Sequence, residues 1–218
     1  MSTDNISRSA VGSGRLNLLF LGLTAIVAGY FLIWLPGPSV GLQLIGIELG
    51  EWIKFLGIGS QRNWFYLPPI VAGMTIALLA AMWPNDRVRT WLSRGLAVAV
   101  AMLAFPAIAA IQLEPRSEWL ARLLLIGLVL ATATLGGWWG GRIRRFWIWA
   151  AMAITALVGL ILPTFAYIAV RPVVEAVLLQ SIGIGPGVLL NAVGSTLVAG
   201  VATFEALRQM KIKKAAIG

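Results

Sequence analysis

Residues 146–170 read FWIWAAMAITALVGLILPTFAYIAV, a stretch that contains no charged side chain. The hydrocarbon core of a bilayer is roughly 30 Å thick, so a helix needs about 20 mostly apolar residues to cross it. This segment is therefore long enough and apolar enough to form a transmembrane helix. Basic residues flank it, because Arg144 and Arg145 precede it directly and Arg171 follows it.

Five other apolar stretches of similar character occur along the chain, at 16–35, 67–83, 95–113, 120–140 and 187–207. The composition supports their assignment as spans, since 59% of the 218 residues are hydrophobic and only 11% are charged. Soluble domains are typically about 45–50% apolar and about 25% charged. We therefore expect an all-α polytopic membrane protein that forms a bundle of six transmembrane helices.

The spans divide the chain into a polar N-terminal segment at 1–15, one transmembrane domain at 16–207 and a basic tail at 208–218. Six crossings place both of these flanking segments on the same side of the membrane. Of the 17 Lys and Arg residues, all but five then share that side, the five being Lys54, Arg62, Arg116, Arg122 and Arg171. Since Lys and Arg concentrate in cytoplasmic loops, we expect both termini in the cytoplasm, by default at a bacterial inner (plasma) membrane. The net charge of +9 is then an orientation signal, and no nucleic-acid partner is expected.

The tryptophans give independent support for these span boundaries. All ten lie within a few residues of a predicted span end. Tryptophan is enriched at membrane interfaces, where its ring is apolar and its N–H finds a polar partner. Trp34 is accordingly expected at the non-cytoplasmic interface and Trp149 at the cytoplasmic one.

Two segments on the non-cytoplasmic side are predicted to be interfacial amphipathic helices. The longer covers 41–56, with Leu42, Ile45, Leu49, Trp52, Ile53 and Leu56 on one face of a helical wheel and Gln43, Glu48, Glu51 and Lys54 on the other. Its three charged residues make a seventh span unfavourable. The shorter begins at Arg171 and Pro172, after the fifth span. Both helices would either form a docking surface or seal the ends of the bundle.

A stripe of small and polar residues follows one face of the sixth predicted span, namely Asn191, Ser195, Thr196, Ala199 and Thr203. Such a stripe suits either the wall of a ligand path or a close helix–helix contact. We favour the contact, because small residues let two backbones approach. No ionisable residue lies near a predicted span centre, and Arg94, Arg122 and Glu205 are expected to extend towards the interface from span ends.

Glu48 and Glu51 lie three residues apart on the predicted interfacial helix. They could supply acid–base or metal chemistry, but a solvated pair next to Lys54 is the simpler interpretation. At the other membrane face, the segment 136–141 reads GGWWGG and is followed by Arg142, Arg144 and Arg145. Its small residues could mediate helix pairing, and the three arginines could contact anionic lipid. An ordinary interfacial belt next to a basic loop is the alternative.

The sequence contains no His and no Cys. This excludes His- or thiolate-ligated haem, iron–sulfur clusters, typical zinc sites and His- or Cys-dependent catalysis, and we predict no cofactor, metal or catalytic residue. The favoured function is a non-catalytic integral membrane subunit or scaffold of a larger complex. Its partners would be the lipid bilayer and other membrane subunits or a second copy. The alternatives are a channel or carrier for a small neutral or lipophilic solute, using the stripe, and an interfacial lipid-modifying enzyme that uses Glu48 and Glu51.

Overall fold

The computed structural model describes residues 13–37, 43–56 and 59–215. Its regular elements are α1 (Ser13–Phe31), β1 (Ile33–Leu35), β2 (Leu44–Ile45), α2 (Gly46–Trp52), α3 (Leu67–Ala81), α4 (Val88–Ala101), α5 (Ile108–Leu113), α6 (Arg116–Trp139), α7 (Arg145–Leu178) and α8 (Pro186–Ala215). Turns of 3₁₀-helix occur at Ile53–Leu56, Gly59–Tyr66 and Met102–Ala104. The fold is therefore all-helical apart from one two-stranded hairpin.

Five helices are long and apolar enough to cross a membrane, in agreement with an integral membrane protein. They are Ser13–Phe31, Gln61–Ala81, Arg116–Trp139, Arg145–Leu178 and Pro186–Lys211. All five overlap predicted spans. Their outward faces carry large exposed apolar side chains, among them Leu21, Leu124, Ile154, Ile161, Ile168 and Val193. In a bilayer, these faces would contact lipid rather than water.

Helix α3 forms the centre of the bundle. All of its residues except Met74 are buried, and it packs against α1, α4, α6 and α7. A helix that is apolar on every side is stable only when neighbours surround it. Helix α8 completes the bundle by packing between α1 and α7. The side chains of the α3 core thus belong to one continuous cluster with those of α1, α6, α7 and α8.

The bundle has two ends, which we name by what they carry. The hairpin end contains β1, β2 and α2, and Gly46 of α2 lies against Tyr30 near the end of α1. The terminal end contains the beginning of α1 and the later part of α8, joined by Arg15 and Glu205. Helix α1 therefore begins at the end of the bundle at which α8 finishes.

The third predicted span is wrong as one continuous helix. Helix α4 ends at Ala101, a 3₁₀ turn follows, and Phe105 is extended with φ −64° and ψ 130° before Pro106. Proline lacks a backbone N–H and disfavours helical geometry in the residue before it, so the helix breaks here. The chain then continues as the short helix α5, and neither piece alone is long enough for a span.

The long interfacial helix predicted over 41–56 is also wrong in extent. Ile33 pairs with Ile45 and Leu35 with Leu44 across the antiparallel hairpin, and this pairing removes 44–45 from the helix. Only Gly46–Trp52 remains α-helical. Of its predicted apolar face, Leu49 and Ile53 are buried, whereas Trp52 is 56% exposed. Leu42, predicted on the same face, lies outside the described residues.

The shorter interfacial helix predicted after the fifth span does not exist as a separate element. Helix α7 continues through Pro172 to Leu178, and Leu179 ends it in the left-handed conformation at φ 52°. An ion pair between Arg171 and Glu175, one turn apart, lies just beyond the predicted end of the span. Helix α8 likewise continues through most of the predicted basic tail. Residues 1–12 and 216–218 of the two predicted terminal segments lie outside the described ranges.

Trp34 and Trp149 are fully buried within the protein, at 0% and 1% exposure, so their rings are not exposed to a membrane interface. Trp34 Nε1 donates a hydrogen bond to the Gly29 carbonyl oxygen at 2.8 Å. Gly29 is in the last turn of α1, where carbonyl groups lack helical partners. Trp34 therefore acts as a cap for α1, which ends four residues earlier than predicted.

Candidate functional site

The hairpin end contains a cluster of six charged side chains, which we call the hairpin-end cluster: Glu51, Lys54, Arg62, Glu114, Glu118 and Arg122. Arg62 bonds to Glu118 at 3.0 Å from its Nε and to Glu114 from Nη2. Lys54 Nζ lies 3.3 Å from both Glu51 Oε2 and Glu114 Oε1. The cluster therefore links α2 and its 3₁₀ extension to the beginnings of α3 and α6. All six residues come from segments predicted to share one membrane face.

The buried side of the cluster is formed by Glu51, Tyr66 and Arg122. Tyr66 donates a hydrogen bond from its hydroxyl to Glu51 Oε1 at 2.5 Å. The Arg122 guanidinium lies 3.9 Å from the centre of the Tyr66 ring, and its Nη1 is 3.7 Å from Glu51 Oε1. Arg122 is only 2% exposed, so its charge is balanced within the protein by one carboxylate and one aromatic face.

Several polar atoms around Arg122 have no hydrogen-bond partner among the described residues. They are the three guanidinium nitrogens of Arg122 and the hydroxyl of Tyr30. A buried guanidinium without hydrogen bonds depends strongly on its counter-charge. The position of Glu51 is therefore an important determinant of whether this end of the bundle is stable.

Two carboxylates of the hairpin-end cluster, those of Glu51 and Glu114, are held in the ionised form. Burial raises the pKa of Glu51, but hydrogen bonds from Tyr66 and Lys54 and the charges of Lys54 and Arg122 outweigh it, so the pKa lies below its usual value. The pKa of Glu114 is likewise lowered, because bonds and charges from Arg62 and Lys54 outweigh its partial burial. A carboxylate with a lowered pKa is poorly suited to general acid–base work near neutral pH. Glu48 is exposed and does not join the cluster.

The ionisable residues expected to extend from span ends are buried instead. Glu205 is 1% exposed, bonds to Arg15 and lies 3.6 Å from Arg208 Nη1. Arg94 is 5% exposed and donates to Asn85 Oδ1 at 2.6 Å. With Arg122, these side chains find partners inside the protein. Sequence reasoning missed the pairs because their members are distant in the chain, 190 positions apart for Arg15 and Glu205.

The predicted stripe on α8 divides into two sets. Asn191, Ser195 and Ala199 are buried, whereas Thr196 and Thr203 are exposed. Asn191 Nδ2 donates to the Gly159 carbonyl oxygen of α7 at 3.1 Å. That carbonyl would normally accept a bond from the residue four positions later, but Pro163 has no N–H to donate. Asn191 thus satisfies a backbone group that Pro163 releases, a role in helix packing.

Replacing Asn191 with leucine is expected to lower the free energy of unfolding by about 1–2 kcal/mol, because Gly159 then loses its only substitute donor. In a Pro163→Ala background the helix supplies its own N–H, so the same change should cost less than about 0.5 kcal/mol. Unfolding titrations of the four proteins of this cycle in mild detergent measure both costs. Equal costs in the two backgrounds would contradict the assignment.

The glycine segment 136–141 packs within the protein. A Cβ at Gly136 would lie 2.9 Å from Ala81 Cβ, and one at Gly140 would collide with the Ala81 carbonyl oxygen. These glycines let α6 approach the end of α3, which assigns them to intramolecular packing. Of the three arginines predicted to contact lipid, Arg142 stacks 4.6 Å from the Trp138 ring centre, Arg144 is exposed and Arg145 is half-buried.

In the parts of the chain that the structure describes, no group of three or more acidic residues is arranged to hold a metal ion. No family model, curated protein or solved structure matches this chain. The function must therefore be inferred from the chemistry of the surfaces described above.

Proposed function

We propose that this chain is a non-catalytic integral membrane protein that acts as a subunit or scaffold of a larger membrane complex. Its partners are the lipid bilayer and other membrane proteins, or a second copy of the chain. We further propose six crossings, with the terminal end in the cytoplasm of a bacterial inner membrane. Five of these crossings are the long apolar helices, and support for the sixth crossing comes from α4 and α5 together. Arg94 of α4 bonds to Asn85 at the terminal end, whereas Glu114, just after α5, bonds to Arg62 at the hairpin end.

One observation carries the proposal of a subunit: a rigidly held, exposed aromatic pair at the hairpin end. Trp52 and Phe55 are 56% and 76% exposed, and their rings meet edge to face at 6.5 Å. Between them in sequence, Ile53 is buried and Lys54 is tied to two carboxylates. The hairpin-end cluster therefore fixes the segment on which both rings stand. Aromatic residues are enriched in the cores of protein interfaces, and a fixed pair loses little entropy on binding.

The test is co-purification in a mild, non-denaturing detergent, followed by mass spectrometry of the bound proteins. We expect a partner protein to co-purify with the wild-type chain in a fixed ratio. The double variant Trp52→Ser, Phe55→Ser should no longer bind this partner. Truncating central aromatic anchors typically costs 2 kcal/mol or more each, a loss of about 30-fold or more in affinity.

A matched control comes from the terminal end. Trp147 is 60% exposed and makes an edge contact with Phe146 at 5.0 Å. The variant Trp147→Ser should retain the partner, and all variants should keep the wild-type melting temperature. A wild-type chain that purifies alone and monomeric, or a partner retained by the double variant, would overturn the proposal.

A carrier for a small neutral or lipophilic solute is the second candidate, because Thr196 and Thr203 line a groove that opens sideways between α7 and α8. Its hydroxyl groups would contact the solute from the membrane side. Solute flux in proteoliposomes without any partner protein would favour this candidate over the scaffold. The lipid-modifying enzyme has less support, since Glu51 is engaged by Tyr66, Lys54 and Arg122.

A further inference from the structure

Two adjoining grooves follow the outward face of α8 towards the terminal end. One is lined by Leu157, Leu160, Thr196, Ala199, Gly200, Thr203, Phe204 and Leu207, and the other by Phe204, Leu207, Arg208, Met210 and Lys211. Each has a volume of about 440 Å³. They share Phe204 and Leu207 and so adjoin along the helix surface, and we call the two together the α8 groove.

The dimensions of the α8 groove match one leaflet of a bilayer. From Thr196 to Lys211 the helix rises roughly 22 Å at about 1.5 Å per residue. One leaflet of hydrocarbon is roughly 15 Å thick, half of the bilayer core. A groove of this length can therefore hold an acyl chain along most of its extent and still reach the headgroup region.

The polarity of the α8 groove changes along its length. Its inner part is lined by aliphatic and aromatic side chains and two threonines, whereas Arg208 and Lys211 lie at the terminal end. Arg15 adds a third positive charge nearby, since its guanidinium lies 5.2 Å from the centre of the Phe204 ring. Among the described residues, Glu205 is the carboxylate paired with this group, bonded to Arg15 and within 3.6 Å of Arg208. The mouth of the groove therefore has an excess of positive charge next to an apolar channel.

From this arrangement we propose that the α8 groove binds an acidic glycerophospholipid. One acyl chain lies along Thr203, Phe204 and Leu207, and the headgroup phosphate meets Arg208 and Lys211. Arginine suits this role because its planar fork can donate two parallel bonds to phosphate oxygens. The proposal requires only that α8 is embedded in a membrane. It does not depend on any protein partner, so it can fail or succeed separately from the proposed function.

The experiment measures lipid binding to the purified full chain by native mass spectrometry, with dioleoylphosphatidylglycerol and dioleoylphosphatidylcholine as probes. A basic residue near the membrane surface contributes a factor of about five to the affinity for anionic lipid. We expect the variant Lys211→Gln to bind phosphatidylglycerol about fivefold more weakly and Arg208→Gln, Lys211→Gln about 25-fold more weakly, by the same factor. Phosphatidylcholine binding should change little. The charge-matched control Arg87→Gln, Arg89→Gln removes two exposed cations of the terminal end and should leave both affinities unchanged.

A second pair of variants tests the acyl-chain part. A Cβ at Gly200 or at Gly127 would meet no described atom within 4 Å, so both positions accept a large side chain. Gly200→Trp fills the α8 groove and should weaken binding of both lipids, whereas Gly127→Trp on α6 should not. Unchanged binding in Gly200→Trp, or an undiminished preference for phosphatidylglycerol in the Arg208, Lys211 variant, would overturn the proposal. So would full competition by inorganic phosphate, because the site would then take a free anion and not a lipid.

Discussion

Replacing Glu51 with leucine is expected to destabilise the protein by about 1–3 kcal/mol, the cost of leaving a buried polar group without its partner, which is less than that of breaking a fully buried ion pair because the Glu51 side chain is 36% exposed. The reason lies in Arg122, which is 2% exposed and whose Nη1 is 3.7 Å from the Glu51 carboxylate. Without Glu51, that guanidinium keeps only the Tyr66 ring as a favourable neighbour, and the Tyr66 hydroxyl loses its acceptor. The free energy of unfolding in mild detergent measures the effect.

A double variant separates the cost of a stranded charge from a general loss of packing. In Glu51→Leu, Arg122→Met no charge is left without a partner, and replacing a whole buried pair by apolar residues is often neutral. We therefore expect most of the lost stability to return. Glu51→Gln should fall between wild type and Glu51→Leu, because the amide oxygen can still accept from Tyr66 while the charge is lost.

Glu48 provides the control, since it belongs to the same helix but is exposed. Glu48→Leu should change the free energy of unfolding by less than about 0.5 kcal/mol. If Glu51→Leu cost no more than Glu48→Leu, the hairpin-end cluster would be an ordinary solvated surface. If the double variant were as unstable as Glu51→Leu, the loss would come from packing around α2 and not from the charge of Arg122.

The helices that are long and apolar enough to cross a membrane could be located from the sequence, because they depend on a local property. A helix in hydrocarbon must satisfy its own backbone and be apolar over its length, so a run such as 146–170 identifies it. The helix ends were less accessible. Helix α7 extends to Leu178 and α8 to Ala215, because a helix continues beyond the hydrocarbon boundary wherever local bonds permit. Hydropathy locates that boundary and not the end of the helix.

The third predicted span, which is interrupted between α4 and α5, shows where local sequence patterns stop being sufficient to predict the fold. Pro106 lies inside an apolar run, and Pro163 lies inside another. Helix α7 remains continuous at Pro163, where Asn191 of α8 bonds to the released Gly159 carbonyl oxygen, whereas the chain becomes extended before Pro106. The outcome at each proline depends on what a neighbouring helix supplies, and that neighbour is unknown until the fold is formed.

Of the hairpin-end cluster, only Glu51 was predicted as a site residue. The sequence assigned Glu51, Arg62, Glu114, Glu118 and Arg122 to one predicted membrane face, and the structure brings them together. The sequence did not indicate that Glu51 meets Tyr66 and Arg122, because those contacts join α2 to α3 and α6. Similarly, nothing in the sequence indicated that Glu205 pairs with Arg15. Partner choice is a tertiary property, and a single sequence carries little information about it.

Replacing Gly194 with leucine is expected to destabilise the protein by about 3 kcal/mol or more, because the site cannot accept even one additional carbon. A Cβ at Gly194 would lie 2.5 Å from the Gly22 carbonyl oxygen and 2.8 Å from the Ile26 nitrogen, both backbone atoms of α1. Backbone cannot move aside as a flexible side chain can, so α1 and α8 would have to separate. Unfolding titrations in detergent, with thermal melting as a second readout, measure the loss.

Gly127→Leu is the matched control, since Gly127 lies on the exposed face of α6 and a Cβ there meets nothing within 4 Å. It should change stability by less than about 0.5 kcal/mol. In lipid, no hydrophobic effect draws two apolar helices together, so their association depends on close packing and interhelical hydrogen bonds. Arg15 of α1 bonds to Glu205 of α8, so separating the two helices would also move Glu205 relative to Arg15. Equal stability of the Gly194→Leu and Gly127→Leu proteins would mean that the α1–α8 contact does not hold the bundle together.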